Sequence, residues 1–353
     1  MKNRLSDHLN GLSTNINCLR FISAILVLIC HSYAITAGEE DVLYNLTGGE
    51  CNLGGFAVAI FFFLSGMYVT KSLYKSQNAG VFMKKRCIRL FPQLWIVVAI
   101  SAFVLGPVVT ELPLKQYFMD FKTYLYLLNG ILIPIHELPG VFSDGIYSTV
   151  NGPLWTMPVE FVAYIGLAAM TLLCSGITGE TKNRKIQKIL HILSFVGLVF
   201  IFGIVNIVIE RNGFLSTVVR PMILFFVGVL YCDYADKIVL NVKWGLAGIL
   251  LLIISGIVGI FNVGLMIMLP YIITSLALPD TQIGKTGELF EISYEMYLVG
   301  WPIQQVLFMF SNEKMSPVMN ILLTIPIDIL LAWLLYKCVA LLENKMAGRK
   351  KNR

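Results

Sequence analysis

Two ionisable residues, Arg20 and His31, interrupt an otherwise apolar stretch near the start of the chain. Their spacing is close to three turns of an α-helix, so a helix would point both side chains to one face, about 16 Å apart along the axis. Ionisable groups inside a long apolar stretch are costly and usually face an interior cavity. A neutral imidazole in such a cavity can take a proton from a hydroxyl group. A histidine that only hydrogen-bonds a neighbouring helix fits the same position equally well.

A third ionisable residue, Glu160, lies about two helical turns into another apolar stretch. Pro158 precedes it and frees backbone polar groups beside the carboxylate. A buried carboxylate needs a partner, and His31 has a similar depth in its own stretch, so we expect Glu160 to orient or polarise His31. Three further acids lie in or near apolar stretches, and the sequence leaves their roles open: Glu291, Glu295 and Asp328.

Two arginines, Arg86 and Arg89, belong to a basic segment just before a third apolar stretch. If the segment is helical, their spacing places both guanidinium groups on one face. Two such groups can clamp the phosphates of a donor substrate. The alternative is an ordinary basic anchor that binds anionic lipid headgroups, and the spacing alone does not decide between them.

The elements that position these residues are predicted to be membrane-spanning helices. The chain is 57% hydrophobic and only 14% charged, far from the composition of a soluble domain. Its apolar stretches are long enough to cross a bilayer as helices, and they are continuously apolar, which excludes barrel strands. We therefore predict an all-α integral membrane protein, a bundle of about ten transmembrane helices. The predicted spans are 17–37, 55–74, 90–110, 154–174, 189–209, 215–232, 243–260, 262–279, 289–311 and 319–341.

The distribution of basic residues predicts that both termini are cytoplasmic. With the N-terminus inside, most of the 27 Lys and Arg residues fall in cytoplasmic segments. The exceptions in outside segments are Lys115, Lys122, Arg211, Arg220 and Lys314. The net charge of +6 therefore reflects topology and does not indicate a nucleic-acid partner. We assign residues 1–345 to a single membrane domain and 346–353 to a basic cytoplasmic tail.

The sequence offers no pattern for a metal site or a disulfide framework. Its four histidines are widely scattered, and its seven cysteines are odd in number and lack CxxC spacing. We expect no metal.

Five segments, in chain order, resemble signature segments of the family 3 membrane acyltransferases. They are Arg20 with His31 (R-x10-H), Phe61–Gly66 (FFFLSG), Arg86 with Arg89 (RxxR), Pro153–Glu160 (PLWTMPVE) and Ile292–Pro302 (ISYEMYLVGWP). The resemblance runs from about residue 15 to 340. Three positions depart from the family pattern: Gly300 stands where many members have histidine, Thr156 replaces the usual serine, and Pro158 is an added helix breaker.

The resemblance implies ten core helices and transfer of an acetyl or other short acyl group from acyl-coenzyme A to a hydroxyl of a cell-envelope carbohydrate. Arg86 and Arg89 would bind the coenzyme A phosphates from the cytoplasm, and Arg20 would help to hold the donor. His31 would act as the base and Glu160 would assist it. The implied partners are acyl-coenzyme A, a carbohydrate and the lipid bilayer of a bacterial cytoplasmic membrane, without a permanently bound cofactor.

A different class of protein, a transporter or flippase for a lipid-linked glycan or a small organic solute, also fits many spans with buried acids. Such proteins are often built from two related halves, and the two halves of this sequence show no similarity.

Overall fold

The structure is a computed structural model that describes residues 3–9, 14–76, 78–178, 183–208, 214–277 and 289–351. Within these residues the regular structure is helical, without a β-strand, and this confirms the predicted all-α class. The main helices, labelled in chain order, are α1 (Thr14–Ala37), α2 (Leu53–Ser76), α3 (Ala79–Ile100), α4 (Thr156–Thr178), α5 (Arg184–Val208), α6 (Phe214–Asp233), α7 (Val242–Ile257), α8 (Phe261–Leu276), α9 (Ser293–Phe310) and α10 (Pro317–Lys351).

Each of the ten predicted stretches overlaps one of these helices, and the number of them that cross the membrane stays a prediction. Among the residues that the structure describes, six segments are long and apolar enough to cross a membrane: Asn15–Ala37, Leu53–Ser76, Ala79–Val109, Gly152–Ile177, Arg184–Val205 and Pro317–Glu343. Helices α7 and α8 are apolar but only 16 residues long each. The chain is therefore a multi-pass membrane protein.

Several helix ends differ from the predicted ones. Helix α3 begins at Ala79, eleven residues before the predicted start, so the basic segment is helical. A π-helical turn, Ser101–Leu105, then leads into Gly106–Val109. Helix α10 continues to Lys351, through residues predicted as a basic tail.

The chain forms two compact units, each assembled from three segments. Unit 1 comprises Met1–Ser23, Val42–Arg86 and Val159–Gly287; unit 2 comprises Ala24–Asp41, Cys87–Pro158 and Glu288–Arg353.

One end of unit 1 holds the N-terminal residues against the segment that follows α6. The Leu5 backbone N–H donates to Ile238 O at 3.0 Å, and the Leu240 N–H donates to Asn3 O at 2.8 Å. The same α6 terminus carries a buried ion pair between His191 Nδ1 and Asp233 Oδ2 at 2.7 Å. These contacts bring the chain start and the end of α6 to one end of the unit.

The opposite end of unit 1 is organised by Glu50, just before α2. Its carboxylate accepts from the Asn262 N–H at 2.8 Å, and its carbonyl accepts from the Asn262 side chain at 2.7 Å. The same carbonyl accepts from Arg220 Nη1 at 3.4 Å. The start of α8 and the first half of α6 therefore lie beside the start of α2.

Helices α2 and α6 pack with their backbones in contact. A Cβ atom at Gly66 would lie 1.9 Å from Phe225 O, and one at Gly228 would lie 2.2 Å from Phe63 O. Small residues at helix interfaces permit such close approach inside membranes. This contact fixes the position of Ser65, the neighbour of Gly66, which belongs to the candidate site.

Candidate active site

His31 lies in the second half of α1, within unit 2, with its ring edge-on to an indole. The His31 and Trp301 ring centroids are 4.8 Å apart with an interplanar angle of 76°. Trp301 is itself fixed, because its Nε1 donates to Thr149 O at 2.8 Å. His31 Nδ1 is buried and makes no hydrogen bond with any described residue. The ring is thus held by packing while one nitrogen has its hydrogen-bonding capacity unused.

Glu160 lies in the first turns of α4, within unit 1, and has two hydroxyl partners. Ser65 Oγ donates to Glu160 Oε1 at 2.9 Å, and the Tyr164 hydroxyl donates to the same oxygen. The two hydroxyl oxygens are 3.2 Å from each other. The FFFLSG segment of α2 and the PLWTMPVE segment of α4 therefore meet at this carboxylate.

Sequence reasoning did not find Ser65 or Tyr164 as partners of Glu160. Tyr164 is one helical turn after Glu160, a spacing that places two side chains on one face, so the sequence carried that signal. Ser65 comes from another helix, and only the fold reveals its contact. The predicted pairing of Glu160 with His31 stays a prediction.

The ISYEMYLVGWP segment fastens α9 to its neighbours in unit 2 through tyrosine hydroxyls. Tyr294 donates to Leu90 O at 3.0 Å, and Tyr297 donates to Pro153 O at 2.9 Å. The Tyr297 hydroxyl also lies 2.8 Å from Thr156 Oγ1, so the threonine that departs from the family pattern keeps a hydroxyl contact. In addition, Asn151 Nδ2 donates to Leu298 O at 2.8 Å. These bonds position the entry to α4 and the Trp301 that contacts His31.

Gly300, which also departs from the family pattern, is closed in by two side chains of unit 2. A Cβ atom there would lie 2.3 Å from Leu28 Cδ2 and 3.4 Å from Asp328 Oδ1. The space that a longer side chain would take is therefore occupied from α1 and α10.

The predicted donor-binding arginines lie on α1 and α3. Arg86 and Arg89 are one turn apart on α3, as their spacing requires for a common face. Arg86 is partly buried and its Nη2 donates to Ser72 Oγ at 3.3 Å, whereas Arg89 is exposed. Arg20 is partly buried on α1.

Two of the acids without a predicted role have hydrogen-bond partners in unit 2. Glu295 is buried and accepts from Gln93 Nε2 at 3.4 Å. Glu291 accepts from the Tyr336 hydroxyl at 3.1 Å. Both contacts join α9 or the turn before it to a neighbouring helix, so they explain these acids structurally.

The long connection between α3 and α4 is built on buried polar contacts. The Tyr117 hydroxyl donates to Ala102 O at 2.7 Å, and Thr123 Oγ1 donates to Tyr117 O at 2.7 Å. Burial raises the pKa of the Tyr117 hydroxyl to about 12, so it stays a hydrogen-bond donor at physiological pH. These contacts fasten the first part of the connection to the π-helical turn that follows α3.

Comparison with known proteins places this arrangement in a family. A family model described as an acyltransferase domain matches residues 13–337, which include every segment named above. The chain belongs to acyltransferase family 3. The predicted family membership is therefore confirmed.

Two relatives carry names that describe them further. An "O-acetyl transferase" of Shigella phage Sf6 is 26% identical over 313 residues, covering 82% of this chain and 85% of the phage protein. "Nodulation protein 10" of Rhizobium leguminosarum bv. viciae is 26% identical over 248 residues, covering 66% of this chain and 63% of that protein. No solved structure matches the chain significantly.

Proposed function

We propose that this family 3 acyltransferase moves an acetyl or other short acyl group from acyl-coenzyme A to a hydroxyl of a cell-envelope carbohydrate. The phage relative, named an O-acetyl transferase, supports transfer to oxygen. The observation that carries the proposal is the environment of His31. Its ring packs edge-on against Trp301, and its buried Nδ1 makes no hydrogen bond with any described residue.

The proposed reaction needs one base and no change of oxidation state. The acceptor hydroxyl oxygen attacks the thioester carbonyl carbon, and His31 takes the hydroxyl proton. The C–S bond then breaks, an ester forms, and the proton passes from His31 to the departing thiolate. Glu160 is the second proposed catalytic residue; its bonds from Ser65 and Tyr164 fix the direction of its carboxylate.

Donor binding is assigned to the three arginines. Arg86 and Arg89 would bind the coenzyme A phosphates, since guanidinium groups recognise phosphate by paired hydrogen bonds. Arg20 would hold the donor farther along, on the helix that carries His31. The transporter alternative is disfavoured because the matching family model is described as an acyltransferase domain and the phage relative is named an O-acetyl transferase.

The proposed topology has ten spans with both termini on the cytoplasmic side of a bacterial cytoplasmic membrane. The contacts within unit 1 support it. The N-terminal residues contact the segment after α6, which the charge bias places inside. Glu50 contacts Arg220 and Asn262, which the same bias places outside.

A transfer assay with His31→Gln tests the proposal. Membrane vesicles receive acetyl-coenzyme A with a labelled acetyl group and an envelope glycan extract, and alkali-labile label on glycan is measured. Glutamine retains hydrogen bonding but accepts no proton at neutral pH, so we expect a loss of about 10²–10⁴-fold, with normal expression and normal coenzyme A binding. His31→Ala should be at least as inactive.

The matched control is His136→Gln, an exposed histidine in the connection between α3 and α4, which should keep wild-type activity. A well-folded His31→Gln protein that transfers acetyl normally would remove His31 from the mechanism. If the alanine variant instead unfolds while the glutamine variant is active, His31 is a packing residue.

A further inference from the structure

Helices α1, α9 and α10 meet in unit 2 through a buried polar network. Gln304 Nε2 donates to Leu28 O and to Ser32 Oγ, both at 2.7 Å. Ser32 Oγ donates to Asn320 Oδ1 at 2.9 Å, and Asn320 Nδ2 donates to Gln304 O at 3.2 Å. This network joins the three helices without any contribution from Asp328.

Asp328 lies two turns after Asn320 on α10 and is 0% exposed. Neither of its carboxylate oxygens accepts a hydrogen bond from any described residue. Burying a carboxylate without partners is among the costliest arrangements in a protein, and an intramembrane acid is retained chiefly where it acts on a substrate or proton. An apolar side chain at this position would avoid that cost.

Asp328 lies beside Gly300 of α9 and Leu28 of α1. Its Oδ1 lies 3.4 Å from the point where a Gly300 Cβ would stand, and Leu28 Cδ2 lies 2.3 Å from the same point. One turn along α9 from Gly300 is Gln304, which is also 0% exposed and whose Oε1 accepts no hydrogen bond from a described residue. Unused hydrogen-bond acceptors on α9 and α10 thus occur within about one helical turn of each other.

We infer that Asp328, together with Gln304 Oε1, forms a substrate subsite that accepts hydrogen bonds from O–H or N–H groups. An ionised carboxylate and an amide oxygen accept hydrogen bonds and cannot donate them, so a ligand that pairs with both must donate. Two parts of the proposed substrates do so: the hydroxyls of the carbohydrate and the amide N–H and hydroxyl groups of the pantetheine arm. The identity of the ligand rests on the proposed function, whereas the subsite itself rests on the buried hydrogen-bond acceptors of Asp328 and Gln304.

Kinetic measurements on the full-length protein test the subsite. Asp328→Asn keeps the shape but loses the charge, and Asp328→Leu removes the hydrogen-bond acceptors. We expect KM to rise at least about tenfold, the loss of one charged hydrogen bond. A rise in KM for the carbohydrate identifies the hydroxyls as the ligand, and a rise in KM for acetyl-coenzyme A identifies the pantetheine arm.

Stability separates this role from a structural one. The matched control, Thr324→Val, loses a buried hydroxyl one turn from Asp328 that donates to Asn320 at 3.4 Å, and it should keep both wild-type KM values. Asp328→Leu should melt at the wild-type temperature or above, because removal of an unpaired buried carboxylate relieves its desolvation cost. A lower melting temperature with both KM values unchanged in the Asn and Leu variants overturns the inference.

A binding measurement distinguishes failure of the subsite from failure of the proposed reaction. Purified protein in detergent is heated with pantetheine or with methyl α-D-glucopyranoside, and the rise in melting temperature is recorded. At least one probe should stabilise the wild type and not Asp328→Asn. If transfer is absent while this difference persists, the proposed reaction is wrong and the subsite stands. A wild type that neither probe stabilises, or an Asp328→Asn protein stabilised equally, overturns the subsite.

Discussion

At the scale of single residues, the Glu160 carboxylate accepts hydrogen bonds from hydroxyl groups of two helices, Ser65 of α2 and Tyr164 of α4. Glu160 was recognisable as a carboxylate in an apolar helix, and Tyr164 lies at a helical spacing from it. Ser65, which completes the contact at 2.9 Å, belongs to a helix nearly a hundred residues earlier, and no local pattern relates the two. Likewise, the sequence shows Asp328 as an acid in an apolar stretch, but only the packing of α9 and α10 shows that no described residue donates a hydrogen bond to it.

The proposed donor site leads to a prediction for Arg86 and Arg89. Replacing either by alanine should weaken acyl-coenzyme A binding by about 1.5–3 kcal/mol, the range for hydrogen bonds to charged groups. Arg86→Ala should also lower stability slightly, since Arg86 donates to Ser72, whereas exposed Arg89 should affect binding alone. Radiolabelled donor binding to detergent-solubilised protein measures the first effect, and thermal unfolding measures the second.

Lys84→Ala is the control for these arginines, because Lys84 is an exposed basic residue of the same helix and its spacing places it on the side opposite the face they share. It should leave donor affinity near the wild-type value. If the Arg86→Ala/Arg89→Ala double variant binds acyl-coenzyme A normally, both arginines are lipid anchors.

At the scale of helices, the apolar stretches located the elements, and their ends were less predictable. Helix α3 begins well before its apolar stretch because the basic segment is itself a good helix former, and this is why Arg86 and Arg89 are helical. The π-helical turn at Ser101–Leu105 has no signal in a hydropathy profile. The backbone contact of α2 with α6 could not be predicted from the sequence either, because a glycine in an apolar helix does not by itself indicate close helix packing.

That contact predicts a specific effect at Gly66. Gly66→Ala would place a methyl group 1.9 Å from Phe225 O, and a backbone oxygen cannot move aside as a side chain can. We expect destabilisation of about 1–3 kcal/mol, typical of overpacking, and reduced transfer because neighbouring Ser65 must shift relative to Glu160. Thermal unfolding in detergent and the transfer assay measure these effects.

Gly166→Ala on α4 is the matched control, because no described residue outside its own stretch of helix has an atom within 4 Å of its Cβ position. There the substitution should be neutral or stabilise by about 0.5–1 kcal/mol, the usual helix preference for alanine. Equal stability of the Gly66→Ala and Gly166→Ala proteins would contradict the close approach of α2 and α6.

At the scale of the whole chain, charge bias predicts sidedness but cannot count every span. Helices α7 and α8 are 16 residues each, about 24 Å of helix against a hydrocarbon layer of about 30 Å. If this pair entered and left on the cytoplasmic side, two spans would disappear together and every later segment would keep its predicted side. The distribution of basic residues therefore cannot distinguish eight spans from ten.

Reporter fusions test the rest of the topology. Fusions after residues 80, 185 and 353 should report the cytoplasm, and fusions after 45, 130 and 213 should report the outside, as the bias of basic residues predicts. Placement of the 80 and 130 fusions on the same side would remove α3 as a span, and with it the assignment of Arg86 and Arg89 to a cytoplasmic donor site.

The turn between α7 and α8 decides the remaining question. Asn262 begins α8 and contacts Glu50 at 2.8 Å, so this turn lies at the Glu50 end of unit 1, opposite the end where the N-terminal residues contact Ile238. We therefore expect Val258→Cys, in a protein whose native cysteines are replaced, to react with a membrane-impermeant maleimide added outside intact cells. Val258 is 65% exposed, so access is not limited by packing. Cysteine at Lys237, in the segment beside the N-terminal residues, should be labelled only after the membrane is permeabilised. If the Val258 position also needs permeabilisation, α7 and α8 form a pair that returns to the cytoplasmic side, and the protein has eight spans.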